Sequence, residues 1–232
     1  MRGKKSVLGL LGSLGLWSLL GCVIFVRPAE AVLVINEFLA DPAAGLAGDA
    51  NNDGIRSAGQ DEFVEILNYG SQPVDLSGWL LSDASATRHV FPQQTLLSSY
   101  QYLAVFGGGA PQLDGIFWQM ASTGTLSLNN TNETIFLRDA DAYMVDQIQY
   151  ANEGNNDQSL TRCPEGTSLI FVEHKSLPQS AGAAFSPGTG VDGKPLVVSP
   201  VEPLAAVAVP ELPTLFYGLL GALGMIQRRL YQ

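Results

Sequence analysis

The residues best spaced for chemistry lie in the stretch Asp49-Ala50-Asn51-Asn52-Asp53-Gly54-Ile55. Side-chain oxygens at alternate positions, with a glycine for the turn, repeat the first half of an EF-hand calcium loop, and Ca2+ prefers such hard oxygen ligands. In that pattern the main-chain carbonyl of Ile55 and then Ser57 follow, but the twelfth position is Gln60, not a bidentate Glu, which leaves Asp61 or Glu62 to substitute. The expected metal set is Asp49, Asn51, Asp53, Ile55, Asp61 and Glu62. No helical pattern flanks the loop, so a bound ion here would be structural, neutralising clustered carboxylates between two strands. The same residues also have a purely local use, because Asp and Asn side chains mimic backbone hydrogen bonds in turns. Asn152-Glu153-Gly154-Asn155-Asn156-Asp157 is a second polar cluster, either further ligands or a solvated loop.

Other reactive residue types are sparse. His89 and His174 are the only histidines, neither in an H-x-x-x-H spacing that holds zinc on a helix, and they read as surface residues. No Gly-x-Ser-x-Gly elbow occurs, so a serine triad has no anchor. Cys163 stands beside Arg162, yet Pro164-Glu165-Gly166 reads as a turn and no histidine is near in sequence. Asp139 with Asp141, or Glu62 with Glu65, are acid pairs of the sort glycoside hydrolysis uses, but the domain is small and loop-rich for such a cleft. Gly107-Gly108-Gly109 lacks the following Lys-Ser or Lys-Thr of a phosphate cradle and reads as a loop. The expectation is a non-enzyme.

The elements that must position these residues are strands. Val32–Leu39, Glu62–Leu67, Trp79–Leu81, Tyr102–Phe106, Thr134–Leu137 and Val145–Tyr150 are short β-rich runs separated by Gly, Pro, Asn, Asp and Ser clusters. Alternation is clearest in Glu62–Leu67, where Phe63 or Val64 takes the core face, and in Asp146–Tyr150, where Ile148 and Tyr150 share a face; both read as half-buried. The fold class expected is all-β, an immunoglobulin-like sandwich over residues 32–194. Residues 32–209 carry twenty Asp or Glu against six Lys or Arg, a formal charge of −14 where the whole chain has −10. Such a surface repels phosphate backbones, so nucleic acid is excluded as a partner.

Both ends carry targeting features. Arg2, Lys4 and Lys5 precede an apolar run from Val7 to Val26, Pro28 breaks it, and Ala29-Glu30-Ala31 offers the small residues of a signal-peptidase site. Residues 1–31 are therefore read as a signal peptide cleaved after Ala31. An apolar run of about 20 residues is also long enough to span a bilayer uncleaved. Leu19-Leu20-Gly21-Cys22 looks like a lipoprotein site in which Cys22 is acylated, though Leu20 stands where such sites carry a small residue. Residues 195–213 space their prolines too closely for a folded element and suit an extended linker. Val209-Pro210-Glu211, an apolar stretch from Leu215 to Ile226 and then Arg228-Arg229 resemble the PEP-CTERM sorting signal of bacterial envelope proteins, with Leu212 where that pattern has its second proline. The resemblance implies an exosortase-type processing enzyme as partner and a membrane tail over 214–232, with the basic end cytoplasmic.

Between these ends, Val34-Ile35-Asn36-Glu37-Phe38, Glu62-Phe63-Val64-Glu65-Ile66-Leu67-Asn68 and Val74-Asp75-Leu76-Ser77-Gly78-Trp79-Leu80-Leu81-Ser82-Asp83 resemble a lamin-tail domain. The likeness continues through Leu126–Asn129, Glu133–Leu137 and Val145–Tyr150. Ser159–Gly166 and Phe185–Thr189 resemble the closing segment of bacterial members. This implies an immunoglobulin-like sandwich used for binding or tethering. The expected whole is an exported module at the cell envelope or outer surface, membrane-held at least transiently, that binds a surface protein or polysaccharide and has a structural calcium loop. An accessory domain of a secreted hydrolase or nuclease system, or a structural matrix protein, are the alternatives.

Overall fold

The computed structural model describes residues 33–196. The signal segment with Ala29 and Ala31, nearly all of the linker, and the tail with Val209, Pro210, Glu211, Arg228 and Arg229 lie outside the described residues.

Twelve strands account for nearly all regular structure in this region: β1 (Leu33–Leu39), β2 (Phe63–Asn68), β3 (Val74–Asp75), β4 (Leu80–Ser82), β5 (Thr87–Val90), β6 (Leu96–Leu97), β7 (Tyr102–Phe106), β8 (Trp118–Met120), β9 (Glu133–Arg138), β10 (Met144–Tyr150), β11 (Leu160–Arg162) and β12 (Phe171–Glu173). The six longest runs anticipated from β-branched and aromatic content all form strands, each within a residue or two of the expected limits. Six strands make one sheet in the order β12-β11-β1-β2-β7-β8, four make the other in the order β10-β9-β4-β5, and β3 with β6 forms a separate ribbon. The β1–β2 register sets Glu37 directly opposite Glu65, and a bulge interrupts β1 between Ile35 and Glu37. Every pairing is antiparallel except that of β7 with β8. Two sheets with an apolar filling make an immunoglobulin-like β-sandwich.

Ile35, Val64, Ile66, Leu103 and Val105 from the larger sheet share one core cluster with Leu81, Ile135, Leu137, Ile148 and Tyr150 from the smaller. Phe91 and Leu97 are fully buried in the same cluster and Trp79 packs against it from a partly exposed position. Full burial of each large side chain contributes about 1.5–3 kcal/mol.

A second cluster corrects the half-buried reading of β2. Val64 and Ile66 face the main core, while Phe63 joins Leu39, Ala104 and Phe106 on the outer face of the six-stranded sheet. All six residues of β2 are buried. The cause is a cover: Leu113, Trp118 and Phe185 pack on that face, and Phe185 meets Phe63 edge-on at 6.4 Å between ring centroids. A strand flanked on both sides and covered on both faces is central, whatever its alternation suggests.

Arg162 ties the two sheets together. Its Nε donates to Ile35 O at 2.6 Å and its Nη2 bridges Asp146 Oδ2 at 2.5 Å, while the same carboxylate oxygen accepts the Ile35 N–H. The guanidinium also lies 4.9 Å from the Phe171 ring centroid, so charge, hydrogen bonds and a π face converge on one side chain.

Candidate functional site

The loop joining β1 to β2 carries four of the expected metal residues in one place. Asp49 Oδ1 accepts the Asp53 N–H and Asp49 Oδ2 the Gly54 N–H. Asp53 Oδ1 accepts from Ile55 N and its Oδ2 from Ala110 N. Asp61 Oδ1 accepts from Asn51 N and its Oδ2 from Ser57 N. Each of the six carboxylate oxygens thus has a backbone amide, so the loop is closed by its own turn hydrogen bonds. Asn51 is fully buried, with Oδ1 accepting from Asp53 N and Nδ2 donating to Gly108 O. Burial raises the Asp61 carboxyl above its usual range, and the charges of Asp49 and Asp53 push the same way against its amide donors.

Glu62 is engaged elsewhere: its Oε2 accepts the Leu128 N–H, and burial lifts its pKa to about 7. The Ile55 side chain is exposed. Arg56 spends its guanidinium on the carbonyls of Pro42 and Ala43, not on the loop carboxylates. Among the described residues no group of three or more His, Cys, Asp or Glu side chains is arranged to hold a metal ion. The triple glycine after β7 explains how a second loop comes this close. A Cβ on Gly107 would stand 1.9 Å from Gly59 O, and one on Gly109 would stand 2.3 Å from Asn51 Nδ2. The second polar cluster places its Asn155 Oδ1 against Asn130 Nδ2, and Asn130 Nδ2 also reaches Asp41, so it packs beside another part of the β1–β2 loop.

A groove of about 520 Å3 opens at one side of the sandwich, where β10 on the smaller sheet faces β11 and β12 on the larger. Asn132, Gln147 and Gln149 supply amides, Tyr150 and Phe171 supply rings, and Leu169 forms part of the wall. Gln147 and Gln149 are exposed, and Leu169 is 91% exposed. Because β10 pairs only with β9, its second edge has no strand beside it.

The histidines are not surface residues. His89 is 2% exposed, with Nε2 at 2.7 Å from Gln119 Oε1 and Nδ1 accepting from Ser122 N. His174 is fully buried, between Ala183 O and Ser186 Oγ. Each imidazole joins its own strand or turn to a loop distant in sequence, which requires burial and both ring nitrogens satisfied. Burial also lowers the His89 pKa.

A buried acid pair was missed from sequence altogether. Glu37 and Glu65, opposite one another in the β1–β2 register, are both fully buried. Asn36 Nδ2 bridges Glu65 Oε1 at 3.0 Å and Glu165 Oε1 at 3.3 Å, and the Tyr102 hydroxyl donates to Glu165. Burial, reinforced by the charge of Glu37, holds the Glu65 carboxyl well above the usual range. Burial likewise raises Glu165 and Tyr102.

With the sandwich and these sites in place, comparison with protein families gives a match to the lamin tail domain over residues 27–152. The chain belongs to the lamin tail domain family. No curated protein matches it. Lamin tail domains are a non-catalytic, immunoglobulin-like family, and the family points to a binding or tethering module. In this lamin tail domain the matched region ends just past β10, so one wall of the groove is family structure while β11, β12 and Phe185 of the cover over β2 come from residues beyond the match.

Proposed function

We propose that this lamin tail domain is an exported, envelope-held module that binds a surface protein or polysaccharide in the groove between β10 and β11–β12. The observation that carries this is the groove itself, which combines exposed amides at Gln147 and Gln149 with the rings of Tyr150 and Phe171. Amides matched to hydroxyls or peptide groups, beside aromatic faces, are the usual means of holding a neutral polar ligand. The test is retention of the full chain on isolated envelope polysaccharide and on envelope protein. A Gln147→Ala/Gln149→Ala variant is expected to lose about ten-fold in affinity with an unchanged melting midpoint; equal binding by the variant sinks the groove assignment.

Export and anchoring rest on the signal segment and the tail. Mass spectrometry of cell-associated and shed protein reads the mature ends: a start at Val32 is expected, with acylated Cys22 or an intact leader as the contrary results. An exosortase-type enzyme would leave a new end near Pro210-Glu211, and an intact tail in both fractions rejects that step.

A calcium-binding role for the β1–β2 loop is supported by one specific observation. Burial raises the Asp61 carboxyl, Asp49 and Asp53 push it a little further the same way, and none of the ion pairs among the described residues involves these three groups. A divalent cation on the second lone pairs of these oxygens would relieve that repulsion. Calorimetric titration of the full chain with CaCl2 is expected to give binding heat and a raised melting midpoint that Asp53→Ala removes. No heat and an unmoved midpoint leave the turn hydrogen bonds as the loop's whole purpose.

A further inference from the structure

The cover over the outer face of the larger sheet is fastened by hydrogen bonds whose hydrogens can be counted. His174 Nδ1 lies 2.8 Å from Ala183 O, and a carbonyl only accepts, so Nδ1 carries a hydrogen. His174 Nε2 lies 2.9 Å from Ser186 Oγ, which in turn lies 2.8 Å from Glu37 Oε2. Ser186 has one hydroxyl hydrogen for these two neighbours. For both contacts to be hydrogen bonds, a second hydrogen must sit on Nε2, donating to Oγ, or on Glu37 Oε2, donating to Oγ while Ser186 donates to Nε2. Either way the chain Glu37–Ser186–His174 holds one proton more than an ionised carboxylate beside a neutral imidazole.

The backbone of the cover is tied to the same acids. Ser186 N donates to Glu37 Oε1 at 2.9 Å and Gly188 N donates to Glu65 Oε2 at 2.7 Å. The ionisable groups around this point are Glu37 on β1, Glu65 on β2, Tyr102 on β7, Glu165 in the β11–β12 turn and His174 after β12. None of the ion pairs of the described residues, Arg88–Asp83, Arg162–Asp146 and Lys194–Asp192, includes Glu37, Glu65, Glu165 or His174, although the last of them adjoins the segment at Gly190. Glu65 faces Glu37 across the β1–β2 register, and burial together with that charge raises its carboxyl.

We propose that residues 183–190 form a proton-held latch over the outer face of the six-stranded sheet, closed while the Glu37–Ser186–His174 chain keeps its extra proton and loosened when that proton is lost. Loss of that proton leaves Ser186 Oγ one hydrogen short, so one of its two contacts becomes a repulsion between lone pairs. Loss of the proton also makes the surroundings of Glu65 more negative by one charge, and that carboxyl is already forced upward by burial and by Glu37. Release of the segment would withdraw Phe185 from Phe63 and uncover part of that ring, with Leu113 and Trp118 still packed on the face.

Amide hydrogen exchange of the full chain between pH 6 and pH 10, corrected for the intrinsic rate, tests the latch. The expected result is that protection of the Ser186 and Gly188 amides falls by about ten-fold per pH unit at its steepest, as one linked proton requires, and well ahead of the Leu103 and Val105 amides, which follow only the global stability. Ser186→Ala keeps the backbone donor to Glu37 but breaks the relay, and its protection is expected to be low and independent of pH. Protection at Ser186 that does not change with pH in the native chain, or falls only in step with Leu103, overturns the proposal, as does an undiminished slope in Ser186→Ala. Should that variant not fold, the native series against its Leu103 reference decides alone.

Discussion

Two acidic sites in this lamin tail domain solve the same electrostatic problem in opposite ways. In the β1–β2 loop, Asp49, Asp53 and Asp61 satisfy their oxygens with amides of the loop itself and its neighbour, and much of the site reaches water. Beneath the cover, Glu37 and Glu65 face each other with no solvent access, and besides Asn36 their donors come from a segment about 120 to 150 residues further along the chain. The loop is local and its energetics are those of turns. The buried pair is nonlocal, so it fastens the end of the domain to its beginning, and its charge state becomes a property of the whole fold.

The largest expected effect separating the two sites is that of pH. Glu62 and Glu65 have folded-state pKa values above their unfolded ones, so their favourable contribution is complete below about pH 4.5 and is lost as pH rises, for Glu62 through about 7. Raising pH from 5 to 8 should therefore lower stability by about 3 kcal/mol, an order-of-magnitude figure from the Glu62 shift alone. Urea unfolding across this range checks it, and Glu62→Gln, which keeps an acceptor for Leu128 N, should flatten the dependence. A midpoint that rises from pH 5 to pH 8 would break the picture. Asp83, held below its usual range by hydrogen bonds from Arg88 and nearby amides despite the opposing cost of burial, acts in the reverse sense and only at more acid pH.

Next in size is Glu37→Ala. It strips the acceptor from Ser186 N and Ser186 Oγ while relieving Glu65, and a net loss of about 2 kcal/mol is expected at pH 5, where relief counts least. A loss that is no smaller at pH 9 than at pH 5 would show that the two carboxylates do not feel one another. The smallest effect belongs to the loop. Asp53→Ala in the absence of calcium removes acceptors from Ile55 N and Ala110 N that water can replace, so about 1 kcal/mol or less is expected. A cost above that of Glu37→Ala would invert the comparison.

The sequence revealed what depends on local pattern. Strands β1, β2, β7, β9 and β10 announce themselves by β-branched and aromatic runs, and the acidic loop by alternate Asp and Asn. Strands such as β3, β6 and β11 are two or three residues long and carry no period to detect. The fate of β2 was illegible for a different reason: alternation says which residues share a face, not whether a later segment will cover the other one. Phe63 and Glu65 sit on that second face, and Phe185 and Gly188 that meet them are about 120 residues away in sequence. The two histidines were misread for the same cause. Nothing near His174 in the sequence signals that Glu37 lies at the far end of its hydrogen-bond chain. Glu62 was grouped with Asp61 by adjacency, yet its acceptor role lies with Leu128, across the β8–β9 connection.

The order of attachments along the closing segment also has a mechanical meaning. A load applied at Leu196 first strains the segment's own turn bond from Gly190 N–H to Lys194 O and then meets the sandwich through single contacts in succession, Gly188 on Glu65 and Ser186 on Glu37. Bonds loaded one after another peel at low force, while the long β1–β2 and β2–β7 ladders share a load among many bonds at once. A module pulled from its C-terminal side would thus yield in two stages, a short extension as the cover lifts and a larger one as the sheets part. Single-molecule pulling resolves this directly, and one undivided rupture would show that cover and sandwich fail as a unit.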